Sequence, residues 1–207
     1  MLERLYRRRM PPNSVITPEA ARALSEASAE IGRQVGLIID RSGSVRNVLV
    51  GTNKDILIPD LSEHRLGGRR LRGVRFIHTH LKAQALNQED LTDLALLRLD
   101  MIAALVAQPD GLPGNISLAY LIPPNPDEKL YEVLPPQSVH AVTIDAAEFI
   151  ADIERQMELA QAAREVAKKD RAILVSVSKK SRHEQEESIE ELKELARTDC
   201  ITVLYTV

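Results

Sequence analysis

The chain has 207 residues, a formal net charge of -3 and a single cysteine, Cys200. That length buries a real core in one large domain or one and a half, and the near-neutral charge argues against a wholly basic nucleic-acid binder such as a DNA-coating protein. The lone Cys excludes a disulfide framework and a Cys-based zinc site and fits a reducing, cytoplasmic setting. No apolar run reaches the length of a membrane span, so no membrane partner is expected. Residues 1–13 carry Arg4, Arg7, Arg8 and Arg9 ahead of Pro11-Pro12, which reads as a solvated arm or as one that contacts phosphate. Thr17 as N-cap with Pro18 behind it starts a helix to about Ile31. Strands over 34–40 and 45–51 flank the turn Arg41-Ser42-Gly43-Ser44, a hairpin pattern, and 56–58 reads as a short third strand before Pro59.

Residues 64–75 place Arg65, Arg69, Arg70, Arg72 and Arg75 on a Gly-containing loop. Guanidiniums at that density repel one another unless an anion compensates, so two readings stand side by side: RNA phosphate or another anion, or a solvated loop. The candidate RNA- or anion-binding residues are Arg65, Arg69, Arg70 and Arg72. The chain contains no Gly-x-x-x-x-Gly-Lys-Ser/Thr, so nucleotide-binding residues are expected nowhere in it.

Val74 to Ile77 reads as a strand that delivers His78 and His80 to one face, because strand side chains alternate with period two. Asn87 is a good N-cap with Asp90 at N3, and Leu86 and Leu91 form a hydrophobic staple. Asp90 thus enters the first helical turn, where it can face the two histidines. A metal ion is one reading of this trio, and polar residues satisfied at a strand end is the other. The helix is expected to run to about Val106, followed by a loop to Asn115, a strand over 116–122, a Pro-rich turn, and strands near 130–134 and 139–144.

This alternation predicts an α+β or mixed α/β domain over residues 1–144, a connecting helix over 145–170, and a βαβ unit from 171 to 207 with parallel strands. Two strands and one helix are marginal alone, so the natural protein is expected to continue. The apolar terminal strand, at a sheet edge, is expected to pair with a second copy as a homodimer or to be covered by the first domain.

His78, His80 and Asp90 resemble the metal site of the JAB/MPN (JAMM) metallopeptidases and RadC-type proteins, a His-x-His-Pro run, a short loop and Ser-x-x-Asp. Here Leu81 stands for the Pro, Asn87 for the Ser, and the loop is one residue shorter. The resemblance implies a JAB/MPN-like fold, zinc held by His78, His80 and Asp90, and a catalytic Glu that activates water. The strand QVGLIID carries no Glu, and Glu30 just before it is the nearest substitute. A zinc-dependent isopeptidase or peptidase, or an anion or small-ligand sensor on a degenerate site, follows from this likeness.

RAILVSVS and EESIEELKELA resemble the start of the N-terminal domain of HflX-type GTPases. LERLYRRR, GRQVGLIID, RLRGVRFIHTHL and EDLTDLALLRLD are similar to the leading region of long bacterial members. This resemblance spans essentially the whole chain. It implies an accessory, partner-binding region of a ribosome-associated GTP-binding protein, with the large subunit and its rRNA as partners. GTP and Mg are then the business of a P-loop domain lying downstream.

Overall fold

Near its start the chain is clipped rather than free. In the computed structural model, which describes residues 2–64, 70–167, 171–175, 177, 182–198 and 201–206, a short helix α1 (Leu2–Tyr6) buries Leu5 completely. Met10 is buried as well, and its N–H donates to the Gly43 carbonyl at 2.8 Å. Gly43 has φ 84°, and a Cβ there would lie 1.8 Å from the Met10 carbonyl oxygen. Only glycine fits so tight a left-handed turn beside another backbone. The segment is thus anchored by its apolar residues, while Arg4, Arg7 and Arg9 are exposed.

Helix α2 (Pro18–Ile31) begins as its sequence dictates, with the Thr17 hydroxyl accepting the Ala20 N–H at 3.2 Å and Pro18 at a position whose missing donor costs nothing. Its buried face is mostly small: Ala20, Ala21, Leu24 and Ala27. Small side chains let the helix lie close on a sheet.

That sheet has six strands in the order β2-β1-β3-β4-β5-β6. The hairpin β1 (Val35–Asp40) and β2 (Val45–Val50) is antiparallel, as its turn residues require. β3 (Val74–His80) lies against β1 antiparallel and against β4 (Met101–Ala107) parallel. β5 (Pro113–Leu121) and β6 (Tyr131–Ser138) complete it as an antiparallel pair. Every residue of β3 is buried, and β4 is buried over all but Val106. Central strands covered on both faces read as continuous apolar runs, so periodicity alone does not separate them from a helix.

This ambiguity explains one correction. The helix expected to reach Val106 is α3 (Gln88–Leu97), ended by Arg98 in the left-handed conformation at φ 54°. Leu97, Met101 and Leu105 keep a helical spacing by coincidence, while the MIAALVA run is β4. A second correction concerns 56–58, which pairs with no strand among the described residues and runs as irregular chain into Pro59. A third merges the strands expected near 130–134 and 139–144 into β6 followed by a 3-10 turn at Val139–Ala141. Pro135 and Pro136 are tolerated there because β6 is an edge. Arg75, counted with the loop arginines, belongs to β3; it is 2% exposed, and its Nε donates to the Val15 carbonyl at 3.1 Å.

The chain divides into two compact units, 1–160 and 161–207. Helix α4 (Ala146–Ala167) begins in the first unit, where Ala146, Ile150, Ile153 and Met157 join the core. The second contains β7 (Arg171–Leu174), α5 (Arg182–Thr198) and β8 (Thr202–Thr206) in a separate sheet whose two strands are parallel, as the βαβ pattern predicts. No helix among the described residues is long and apolar enough to cross a membrane.

Candidate metal centre

β3 carries its histidines on one face, and α3 brings a carboxylate to them. The turn into α3 is fixed by a reciprocal pair of bonds: the Asp90 N–H donates to Asn87 Oδ1 at 3.0 Å, and the Asn87 N–H donates to Asp90 Oδ2 at 2.8 Å. This capping box holds the Asp90 carboxylate in one orientation. Asp90 Oδ1 lies 3.1 Å from His78 Nε2, Asp90 Oδ2 lies 3.5 Å from His80 Nε2, and the two Nε2 atoms are 3.0 Å apart. His78 is fully buried, and His80 and Asp90 are exposed by 4% and 7%. Among the described residues these three form the group of potential ligands close enough to hold one ion.

The donor spacing fits zinc. Zn–N near 2.0–2.1 Å and Zn–O near 2.0–2.2 Å in a tetrahedron put neighbouring donors about 3.3–3.4 Å apart. The three separations straddle that value. Each ring presents Nε2 inward. His80 Nδ1 lies 3.2 Å from the Gln84 carbonyl, which can only accept, so Nδ1 carries the proton of a neutral ring and Nε2 keeps its lone pair for the centre. His78 differs, for its Nδ1 is buried with no partner among the described residues. Without an ion the proton of such a ring rests best on Nε2, donated to Asp90, so that proton must leave Nε2 before His78 can ligate a metal.

Electrostatics follow from burial and from this crowding. Burial, and then the neighbouring His78, push the His80 imidazole below the ordinary histidine range, with Asp90 pulling partly back. For Asp90 burial acts upward, yet the hydrogen bond and charge of His78, the Asn87 N–H and the charge of His80 hold the carboxyl below its usual value. At neutral pH the trio therefore offers a lone pair on His80 and a carboxylate, the states a metal ion requires.

The sheet behind is shaped to support the rings. Phe76 stacks on His78 with centroids 4.9 Å apart at 12°. Gly36, paired with His78 on β1, leaves the room for Phe76. Two clefts adjoin the cluster. One of about 450 Å3 is lined by Asp90, and one of about 250 Å3 is lined by His80. Gln34, Lys54, Asp55 and Asn87 line both. The wall between is a built turn: the Thr52 hydroxyl accepts the Lys54 and Asp55 N–H groups at 3.1 and 2.9 Å, and the buried Gln34 side chain donates to the Lys54 carbonyl at 2.6 Å.

Sequence reasoning missed that wall, although a glycine inside strand β1 and a Thr three residues before an Asp are signals for close packing and a side-chain-capped turn. Glu30 stands apart: it is exposed in the last turn of α2 and does not join the cluster. Of the candidate anion-binding arginines, Arg65 and Arg69 lie outside the described residues. Arg72 donates from Nε to the Leu97 carbonyl at 3.0 Å, where it caps the C-terminus of α3. Arg70 is half-buried, and its carbonyl accepts from Arg98 Nε at 2.6 Å.

No family model matches this chain, and no curated protein matches it. A solution structure of a protein from Salinibacter ruber is similar at 15% identity, over 59% of this chain and 89% of that one, with a TM-score of 0.32. At that score the likeness carries no argument.

Proposed function

We propose that residues 1–160 are a JAB/MPN-like metal-binding domain, that its ion is zinc, and that the chain is the leading region of an HflX-type GTP-binding protein. The observation that carries the metal assignment is the convergence of His78 Nε2, His80 Nε2 and the Asp90 carboxylate at separations of 3.0–3.5 Å. In this reading the domain is an accessory to a GTPase whose P-loop lies downstream, and its partners are the ribosomal large subunit and rRNA. The RRLRGVRFIHTHL segment supports both parts at once, since it holds arginines and metal ligands within one stretch. Elemental analysis of protein purified without chelator tests the metal, with one zinc per chain expected and His78→Ala expected to lose it. Zinc-free protein that takes up none in an equilibrium titration would refute the assignment.

A second reading, a zinc-dependent hydrolase, is favoured by Asp55 and not by Glu30. A general base must come within hydrogen-bond reach of the water it deprotonates. Both residues are exposed, but Asp55 lines both clefts beside the cluster and Glu30 lines neither. Cleavage of a peptide or isopeptide substrate by the zinc-loaded protein, abolished by Asp55→Asn with zinc content unchanged, would establish it over the accessory reading.

A further inference from the structure

The face of the sheet that carries the metal ligands continues past them into a third cleft of different chemistry. Cα partners run Gly36, His78, Ala104, Ser117 straight across β1, β3, β4 and β5. Pairing preserves the face, so Ser117 presents its side chain on the same side as His78, with the small Ala104 between them. Over this part of the sheet lies a cleft of about 480 Å3 whose lining includes Gln84, Gln108, Asn115 and Ser117, with Val106 and Pro136 as walls. Ser117 is only 3% exposed, and its hydroxyl has no hydrogen-bond partner among the described residues. The Ser117 hydroxyl is the polar group that this otherwise buried residue turns to the cleft, where it can bond a ligand.

We infer that this cleft binds an uncharged peptide segment and that Gln84 couples its occupancy to the metal centre. No residue of the lining is charged, in a chain that is 28% Asp, Glu, Lys and Arg. The two clefts beside the metal ligands, by contrast, contain Lys54, Asp55, Lys82, Glu89 and Asp93. Gln84, Gln108 and Asn115 are exposed and the lining offers no opposite charge to pair a charged ligand, so a neutral ligand fits it best. It needs donors and acceptors together, because three carboxamides and a hydroxyl offer both. A nucleobase answers that description, but base sites are built on aromatic faces, and the lining has none. Amide groups between small side chains, the chemistry of a peptide backbone, match the carboxamides and the apolar walls.

The coupling runs through one residue. Gln84 lines this cleft and the His80 cleft, and its carbonyl lies 3.2 Å from His80 Nδ1. That contact sets which His80 nitrogen holds the lone pair. A ligand that shifts Gln84 therefore alters the metal's ligand, and by linkage the metal alters the peptide's affinity by the same factor. This coupling rests on the metal reading above, whereas the peptide site does not.

The probe is acetyl-Ala-Ala-Ala-methylamide titrated into 15N-labelled whole chain, first metal-free and then with zinc. Saturable shifts of the Gln84, Gln108 and Asn115 side-chain amides are expected. Ser117→Ala should weaken binding about three- to tenfold, the effect of one lost hydrogen bond. Ala83→Trp, placed at the exposed rim, should abolish it with an unchanged circular-dichroism spectrum. No saturable shift, or equal affinity in wild type and both variants, would overturn the site, and adenosine or uridine moving the same signals while the peptide does not would overturn the peptide assignment. Zinc should change the peptide's dissociation constant at least about twofold. An unchanged constant in protein shown to hold zinc overturns the coupling alone. Failure to bind zinc at all refutes the metal reading and with it the coupling, and the metal-free titration then decides the peptide site by itself.

Discussion

Gly36 and Phe76 meet so closely across β1 and β3 that a Cβ at position 36 would lie 2.6 Å from the Phe76 ring and 2.9 Å from the Ile56 side chain. The absent side chain is what lets Phe76 lie flat on His78. Gly36→Ala should therefore cost about 1–3 kcal/mol, as overpacking of a filled core does. It should also weaken zinc binding by disturbing the ring stack. Urea unfolding and a zinc titration on the same variant check both, and a variant as stable as wild type would show that Phe76 has another place to go.

Acid should loosen the fold in two stages. The folded His80 sits below its ordinary value of 6.5, so as pH falls through that value the unfolded chain takes up a proton that the native state refuses. Stability then declines until pH passes the folded value. Asp90 is held below its ordinary 3.8, so it contributes stability above that pH, and this is lost as pH falls through its folded value. Urea midpoints of metal-free protein should fall from neutral pH down to about pH 2, and His80→Gln should flatten the upper stage only.

Asp100 is the buried anchor of a second network. Its carboxylate accepts from Arg41 Nε at 2.7 Å, Arg41 Nη2 at 3.0 Å and the Gly73 N–H at 2.9 Å. Arg41 also reaches Glu154 at 2.8 Å, which ties α4 to the β1–β2 turn. Asp100→Ala leaves the partly exposed Arg41 with Glu154 alone and the Gly73 N–H without its acceptor, and should cost about 1–3 kcal/mol. Thermal or urea unfolding measures it, and a loss under about 1 kcal/mol would mean that water replaces the carboxylate.

If the arginine-rich segment binds rRNA, replacing Arg65, Arg69 and Arg70 by Ala should lower affinity for large subunits and reduce the salt slope by about 0.7–0.9 for each phosphate that is no longer neutralised. Arg72→Ala is a control of another kind. Its bond to the Leu97 carbonyl predicts reduced stability. A salt series in which the triple variant matches wild type would dispose of the RNA interaction.

Much of the candidate site was legible because its signals are local. Asn87 and Asp90 write the helix start within four residues, and alternation alone puts His78 and His80 on one face. What escaped the sequence depends on partners distant in the chain. Gln34 looks like the polar first residue of a strand until its amide meets the Lys54 carbonyl, and Asp100 looks like a polar position in the expected helix until Arg41 arrives. β4 was misread for a different reason: burial on both faces erases the alternation that identifies a strand, and chance spacing of Leu97, Met101 and Leu105 supplied a helical one.

The three ligands lie within thirteen residues of chain, from His78 to Asp90, on one strand and the first turn of the next helix. An ion tying His80 to Asp90 closes a loop of only ten residues, so it removes little conformational freedom from the unfolded chain. Its stabilisation should arise from binding free energy and not from cross-linking, and should scale with ion concentration. The parallel partner of β3 is β4, which arrives only after the α3 crossover. A nascent chain can thus bring these three side chains together before the central ladder closes, and if they hold an ion the β3–α3 corner should form earlier in refolding when that ion is present.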